Sequence, residues 1–178
     1  MMKKLITGIM IFFAGVFPVS AVELSPSENQ LMQQFQSQYE SGSYYEFLYG
    51  LPKPDGIYLA KRLRNHTDGK VAYAAANIFI RYGYKEKAVP ILARLIVSGR
   101  DKTDLQGRMG YDWLHLYGDK FATEMSQKVL VYMLENLGQY RKTEEIKRIH
   151  KFYLSVGKFE GLQQLLVEQL QEKINSFQ

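Results

Sequence analysis

The feature that most narrows what this chain can become is a row of glycines at helical-hairpin spacing. Gly83, Gly99, Gly118, Gly138 and Gly157 stand 16, 19, 20 and 19 residues apart. Between them lie stretches whose apolar residues recur every three or four positions, the period of one buried helix face. A glycine just past a helix supplies the left-handed backbone that a β-carbon resists. Each interval therefore fits one helix plus a turn. Taken in pairs, Gly83 to Gly118 and Gly118 to Gly157 fit a repeating helical hairpin. No segment alternates with the period of two that a half-buried strand requires. The expectation is an all-α fold with no sheet, arranged as an α-solenoid-like stack of helical hairpins.

The clearest amphipathic pattern is the last. Phe159, Leu162, Leu166, Leu170, Ile174 and Phe177 step by three or four along one side, with Gln163, Gln164, Glu168, Gln171 and Glu172 on the other. The preceding helix starts at Thr143, where Glu144 and Glu145 complement the positive helix end. Ile146, Ile149, Tyr153 and Val156 form its apolar side. At the other end, Ser25-Pro26-Ser27-Glu28 reads as a capped helix start. That helix carries Leu31, Phe35 and Tyr39 on one face, runs to about Glu40, and stops at Gly42. An aromatic segment from Tyr44 to Tyr49 leads into a Pro/Gly loop over Leu51 to Gly56. A helix over roughly Ile57 to Asn65 follows.

Residues 1–21 form an address rather than part of the fold. Lys3 and Lys4 precede an apolar run from Leu5 to Phe17, Pro18 breaks it, and Val19 and Ala21 sit at the small-residue positions of a cleavage site. This is the three-part pattern of a secretory signal peptide cut after Ala21. The run is shorter than the ~20 residues a membrane span needs. The expected divisions are 1–21 signal peptide, 22–67 N-terminal helical cap region, and 68–178 helical repeat region. The remaining 157 residues can bury a real core. The style of the leader predicts a periplasmic or secreted protein with no integral membrane span after cleavage.

The 178-residue chain contains no cysteine and carries a formal charge of +5. The missing thiols exclude disulfides, thiol catalysis, zinc–thiolate sites and attachment as a lipoprotein. Loss of Lys3 and Lys4 with the leader leaves +3, too dilute for a nucleic-acid-binding stripe. Lys61, Arg62, Arg64 and Lys70 cluster locally, as do Lys147, Arg148 and Lys151, and each reads as a solvated helix face.

Val71-Ala72-Tyr73-Ala74-Ala75-Ala76-Asn77-Ile78, then Tyr82-Gly83, then Ala88-Val89-Pro90-Ile91-Leu92, resembles a HEAT-like repeat. In that pattern a first helix carries a valine and paired alanines, a glycine turn follows, and a second helix opens with Ala-Val-Pro. Ala74 and Ala75 suit close helix approach, and Pro90 suits a position near a helix start. The turn between Gly83 and Ala88 is one residue longer than the pattern expects. Met109-Gly110-Tyr111-Asp112-Trp113-Leu114 fits more loosely, and the unit around Gly157 fits in spacing alone. Tyr82-Gly83-Tyr84-Lys85-Glu86-Lys87-Ala88 also suits a tetratricopeptide repeat, the rival reading.

Catalytic chemistry finds little purchase. His66, His115 and His150 form no metal-binding spacing, and Asp112 with His115 is an i, i+3 pair near Asp119 without a third ligand. There is no G-x-S-x-G elbow, phosphate loop or dinucleotide fingerprint. No catalytic residue, metal or cofactor is expected. Tyr39, Tyr44, Tyr45, Phe47, Tyr49 and Tyr58 could stack on a sugar or peptide, but they suit better the sealing of an open end of a helical stack. Asn65-His66-Thr67 is a formal glycosylation triplet. The expected function is that of a non-catalytic scaffold with a protein partner and no nucleic acid. An immunity or inhibitor protein is a special case, and an unrecognised cell-wall-acting enzyme the alternative. The resemblance implies that second helices of the hairpins, starting near Lys85, Asp119 and Lys158, line the inner face. Lys87, Arg94, Glu124, Lys128 and Glu135 would then point away from the core towards a partner.

Overall fold

A computed structural model describes residues 26–99 and 116–177. The leader, the cut after Ala21, Ser25 and the Asp112–His115 pair lie outside the described residues. Within them the fold is all-α, without a strand. In chain order the helices are α1 (Pro26–Ser41), α2 (Tyr44–Gly50), α3 (Lys53–Leu63), α4 (Gly69–Arg81), α5 (Lys85–Ser98), α6 (Asp119–Glu135), α7 (Thr143–Val156) and α8 (Gln164–Asn175). A short 3-10 turn, Leu137–Gln139, links α6 to α7.

The core centres on α4, where every residue from Val71 to Ile80 is buried. Ala72, Ala74, Ala75 and Ala76 are fully buried, and their short side chains let neighbouring helices come close. Leu59, Ala60 and Leu63 of α3 and Leu92, Ala93 and Leu95 of α5 belong to the same cluster. Gly56 of α3 is part of this approach: a β-carbon there would sit 3.1 Å from Cε2 of Tyr82. Asp68 caps α4, its carboxylate accepting the Lys70 backbone N–H at 2.8 Å. Substantial packing joins helices adjacent or next-but-one in this order: α3–α4, α4–α5, α5–α6, α6–α7 and α7–α8, then α5–α7 and α6–α8.

Several boundaries differ from the sequence expectation. The aromatic segment is itself helix α2, with Leu48 buried. The loop expected over Leu51 to Gly56 shrinks to Leu51 and Pro52, because α3 begins at Lys53. Pro54 falls in the first helical turn, where its fixed φ fits and its missing N–H has no intrahelical partner to lose. Gly138 ends no helix by a left-handed turn; it lies inside the 3-10 turn, and Asn136 follows α6. Pro90 is the sixth residue of α5, beyond the first turn. The last helix starts at Gln164 rather than near Lys158. Phe159 and Leu162 instead pack against the core from the connection before it.

Candidate functional site

The face shared by α5 and α6 carries a groove of about 390 Å³. Its floor is apolar: Val89 of α5, Val131 and Tyr132 of α6, and Phe159 from the connection after α7. Its rim is charged, with Glu86 from α5 and Glu124, Lys128 and Glu135 from α6. Residues 124, 128, 131 and 135 fall at helical steps of four, three and four, so one face of α6 supplies most of the wall.

Ion pairs fix the rim. Lys128 Nζ lies 2.7 Å from Glu86 Oε1 and 4.0 Å from Glu124 Oε1. Lys85 Nζ lies 3.3 Å from Glu124 Oε1 and 4.6 Å from the centre of the Phe121 ring. The hydrogen bond to Glu86 raises the Lys128 pKa above its usual value, against the lowering effect of partial burial. These side chains are substantially solvated, so each pair contributes only ~0–1 kcal/mol. Their consequence is positional: they tie the start of α5 to α6 and hold the Glu86 and Glu124 carboxylates and the Lys85 and Lys128 ammoniums beside an oily floor.

Glu124, Lys128 and Glu135, expected from the sequence, are thus brought together. Lys87 and Arg94 are not among them. They line a separate cleft of about 300 Å³ beside Arg64, Asn65, Pro90 and Ile91. Arg94 donates hydrogen bonds to the Arg64 carbonyl and to Asn65 Oδ1. Its guanidinium therefore closes the end of α3. Lys87 Nζ sits 4.8 Å from the centre of the Tyr84 ring. Sequence reasoning missed Glu86, Val89, Val131, Tyr132 and Phe159. The helical register of α6 could have supplied Val131; Phe159 arrives by tertiary packing and leaves no local signal.

The tyrosine-rich region forms a run of ring contacts. Phe35, Tyr39, Tyr44, Tyr45 and Tyr49 follow one another with centroid separations between 5.3 and 6.0 Å. Tyr39, Tyr44, Tyr45, Phe47, Tyr49 and Tyr58 are all partly buried against the core. Arg148, expected as a solvated cation, donates to the Val97 carbonyl at 2.9 Å and lies on Gly99, so it closes the end of α5. His66 accepts the Asp68 backbone N–H on Nδ1 at 3.1 Å. Burial lowers its pKa more than the neighbouring Asp68 raises it. Among the described residues, no three histidine or carboxylate side chains group closely enough to hold a metal ion. No described helix is long and apolar enough to cross a membrane. No protein-family model, no curated protein and no solved structure matches this chain.

Proposed function

We propose that this protein is an exported, non-catalytic scaffold that holds a protein partner in the α5–α6 groove. The observation carrying this reading is the groove itself: an apolar floor framed by a charged rim in which Glu86 and Glu124 are ion-paired to Lys128 while Glu135 adds a further carboxylate. Such a surface suits a partner that offers an apolar anchor flanked by lysine or arginine. The anchor would contribute through area removed from water, and the rim would select orientation and speed encounter. Export rests on residues 1–21, and predicts a mature N-terminus at Val22. Packing between near-neighbour helices and the alanine-rich α4 support a HEAT-like stack, in which a repeated surface serves binding.

The test is affinity capture from a periplasmic extract with three baits: the wild-type protein, a Val131→Lys variant, and a Lys70→Glu variant remote from the groove. One stoichiometric protein should be captured by the wild type and by Lys70→Glu, and lost with Val131→Lys. Capture that ignores Val131→Lys would remove the groove from the reading. Absence of any stoichiometric partner would remove the scaffold itself.

A further inference from the structure

On another face of α5, away from the groove, lies the cleft that holds Lys87 and Arg94. Glu86 and Val89 turn to the groove. Lys87, Pro90, Ile91 and Arg94 instead line the cleft, together with Arg64 and Asn65 from the end of α3. Three cationic side chains from two helices thus meet around a space of about 300 Å³, and no described carboxylate lines it.

The one-sided charge is written into both helices. From Gly56 to Thr67 the charged residues are Lys61, Arg62 and Arg64, and from Lys87 to Gly99 they are Lys87 and Arg94. The acids nearest in sequence are engaged elsewhere. Glu86 pairs with Lys128 at 2.7 Å on the groove side. Asp68 accepts the Tyr39 hydroxyl at 3.0 Å and the Lys70 backbone N–H at 2.8 Å. Charges of one sign gathered at a concave surface focus the field there and raise the local concentration of counter-ions.

The cleft also has a fixed part. Arg94 donates to the Arg64 carbonyl and to Asn65 Oδ1, which holds its guanidinium in place before any ligand arrives. Asn65 accepts through Oδ1, so its Nδ2 carries two N–H donors beside that charge. Arg64 and Lys87 are exposed and reach the same space from different helices. Pro90 and the buried Ile91 complete the lining with apolar surface.

We propose that this cleft binds the phosphate group of a small phosphorylated ligand. Arg64 and Lys87 close on the phosphate oxygens, Arg94 and the Asn65 amide hold the far side, and Pro90 and Ile91 meet the carbon portion. A phosphate monoester carries up to two negative charges on three acceptor oxygens. That matches three separate cations better than a carboxylate, with one charge on two oxygens. The volume stands at the small end of the ~300–1,000 Å³ typical of ligand sites, so it has room for more than the phosphate. Because Arg64 and Lys87 are solvated, affinity is modest, of millimolar rather than micromolar order, and salt weakens it. The site is separate from the α5–α6 groove and does not depend on a protein partner there.

The test follows the amide resonances of the nitrogen-labelled protein during titration with inorganic phosphate and, separately, with acetate at matched ionic strength. Phosphate should give saturable shifts at the Asn65 side-chain amide and at the backbone amides of Lys87 and Arg94. It should bind at least about threefold more tightly than acetate, through its extra charge. Arg64→Gln and Lys87→Gln should each weaken phosphate at least about threefold, and the double variant should lose saturation. Arg64→Lys should keep most of the binding, and Val131→Lys in the groove should keep all of it. Circular dichroism should show every variant equally helical, the Arg64 and Lys87 side chains being exposed. Co-sedimentation with phosphatidylcholine vesicles, with and without phosphatidic acid, identifies the source. Pelleting that needs phosphatidic acid and fails in the double variant would make the ligand a lipid headgroup. No pelleting, beside saturable phosphate binding, would make it a soluble phosphate ester. Either result supports the phosphate site. Shifts that stay linear to about 50 mM phosphate, acetate as tight as phosphate, or saturation that survives the double variant would overturn it.

Discussion

At the scale of single residues, the environment of His66 has the plainest thermodynamic consequence. Its ring meets Phe35 at 6.4 Å and Tyr39 at 5.4 Å, both edge-on. Its Nδ1 accepts a backbone N–H, so the neutral ring carries its proton on Nε2. Asp68 supplies that N–H, caps α4, and accepts the Tyr39 hydroxyl at 3.0 Å. Burial holds the folded-state pKa below the usual 6.5. Above pH 6.5 the ring is neutral in folded and unfolded chains alike, and its titration leaves stability unchanged. As pH falls through 6.5, the unfolded chain takes up the proton first, and folded stability declines until the pH passes below the folded value. Urea unfolding from about pH 8 to about pH 5 should show this decline beginning near neutrality, and His66→Gln should flatten that part of the profile. An unchanged slope in the variant would assign the loss to other groups. None of this could be read locally: the sequence offers His66 only within a glycosylation triplet, while Phe35 and Tyr39 stand about thirty residues away. Arg94 and Arg148 carry the same lesson. As letters they are surface cations, and only the folded chain aims each at the open carbonyls of another helix.

At the scale of elements, periodicity revealed the helices better than their ends. The starts at Lys85, Asp119 and Thr143 follow from glycine turns and acidic first turns. The start at Lys53 was hidden because proline and glycine ordinarily punctuate loops. There, Pro52 and Pro54 occupy the two kinds of position at a helix start that tolerate proline, and Gly56 serves close packing on Tyr82. Pro90 is the opposite case. As the sixth residue of α5, it lacks the N–H that would bond the Glu86 carbonyl, and its ring crowds that carbonyl. Replacing it with alanine restores one intrahelical bond but frees the unfolded chain at that position. The helical gain is the larger of the two, so Pro90→Ala should stabilise the protein by about 1 kcal/mol. The check is a higher urea midpoint with an unchanged m-value. A lower midpoint would mean that packing of the proline ring beside Ile91 and Arg64 outweighs the backbone term.

For the molecule as a whole, burial is unevenly distributed. The sequence offered Ala74 and Ala75 as a point of close helix approach, and the structure goes further, burying ten consecutive residues of α4. The groove was only half legible, because its far wall comes from α5 and its end from Phe159. Burial falls off towards the C-terminus: α8 contributes Leu170 as its buried residue and leaves Leu165 exposed. Local opening costs what the opened surface was worth, so amide protection should follow the same gradient. Native-state hydrogen exchange should find the slowest amides in α4, opening only with global unfolding. The amides of α8 should exchange at least about 100-fold faster, through detachment of that helix from α6 and α7. Equal protection in the two helices would show the molecule opening as one cooperative unit and would contradict a stability concentrated around α4.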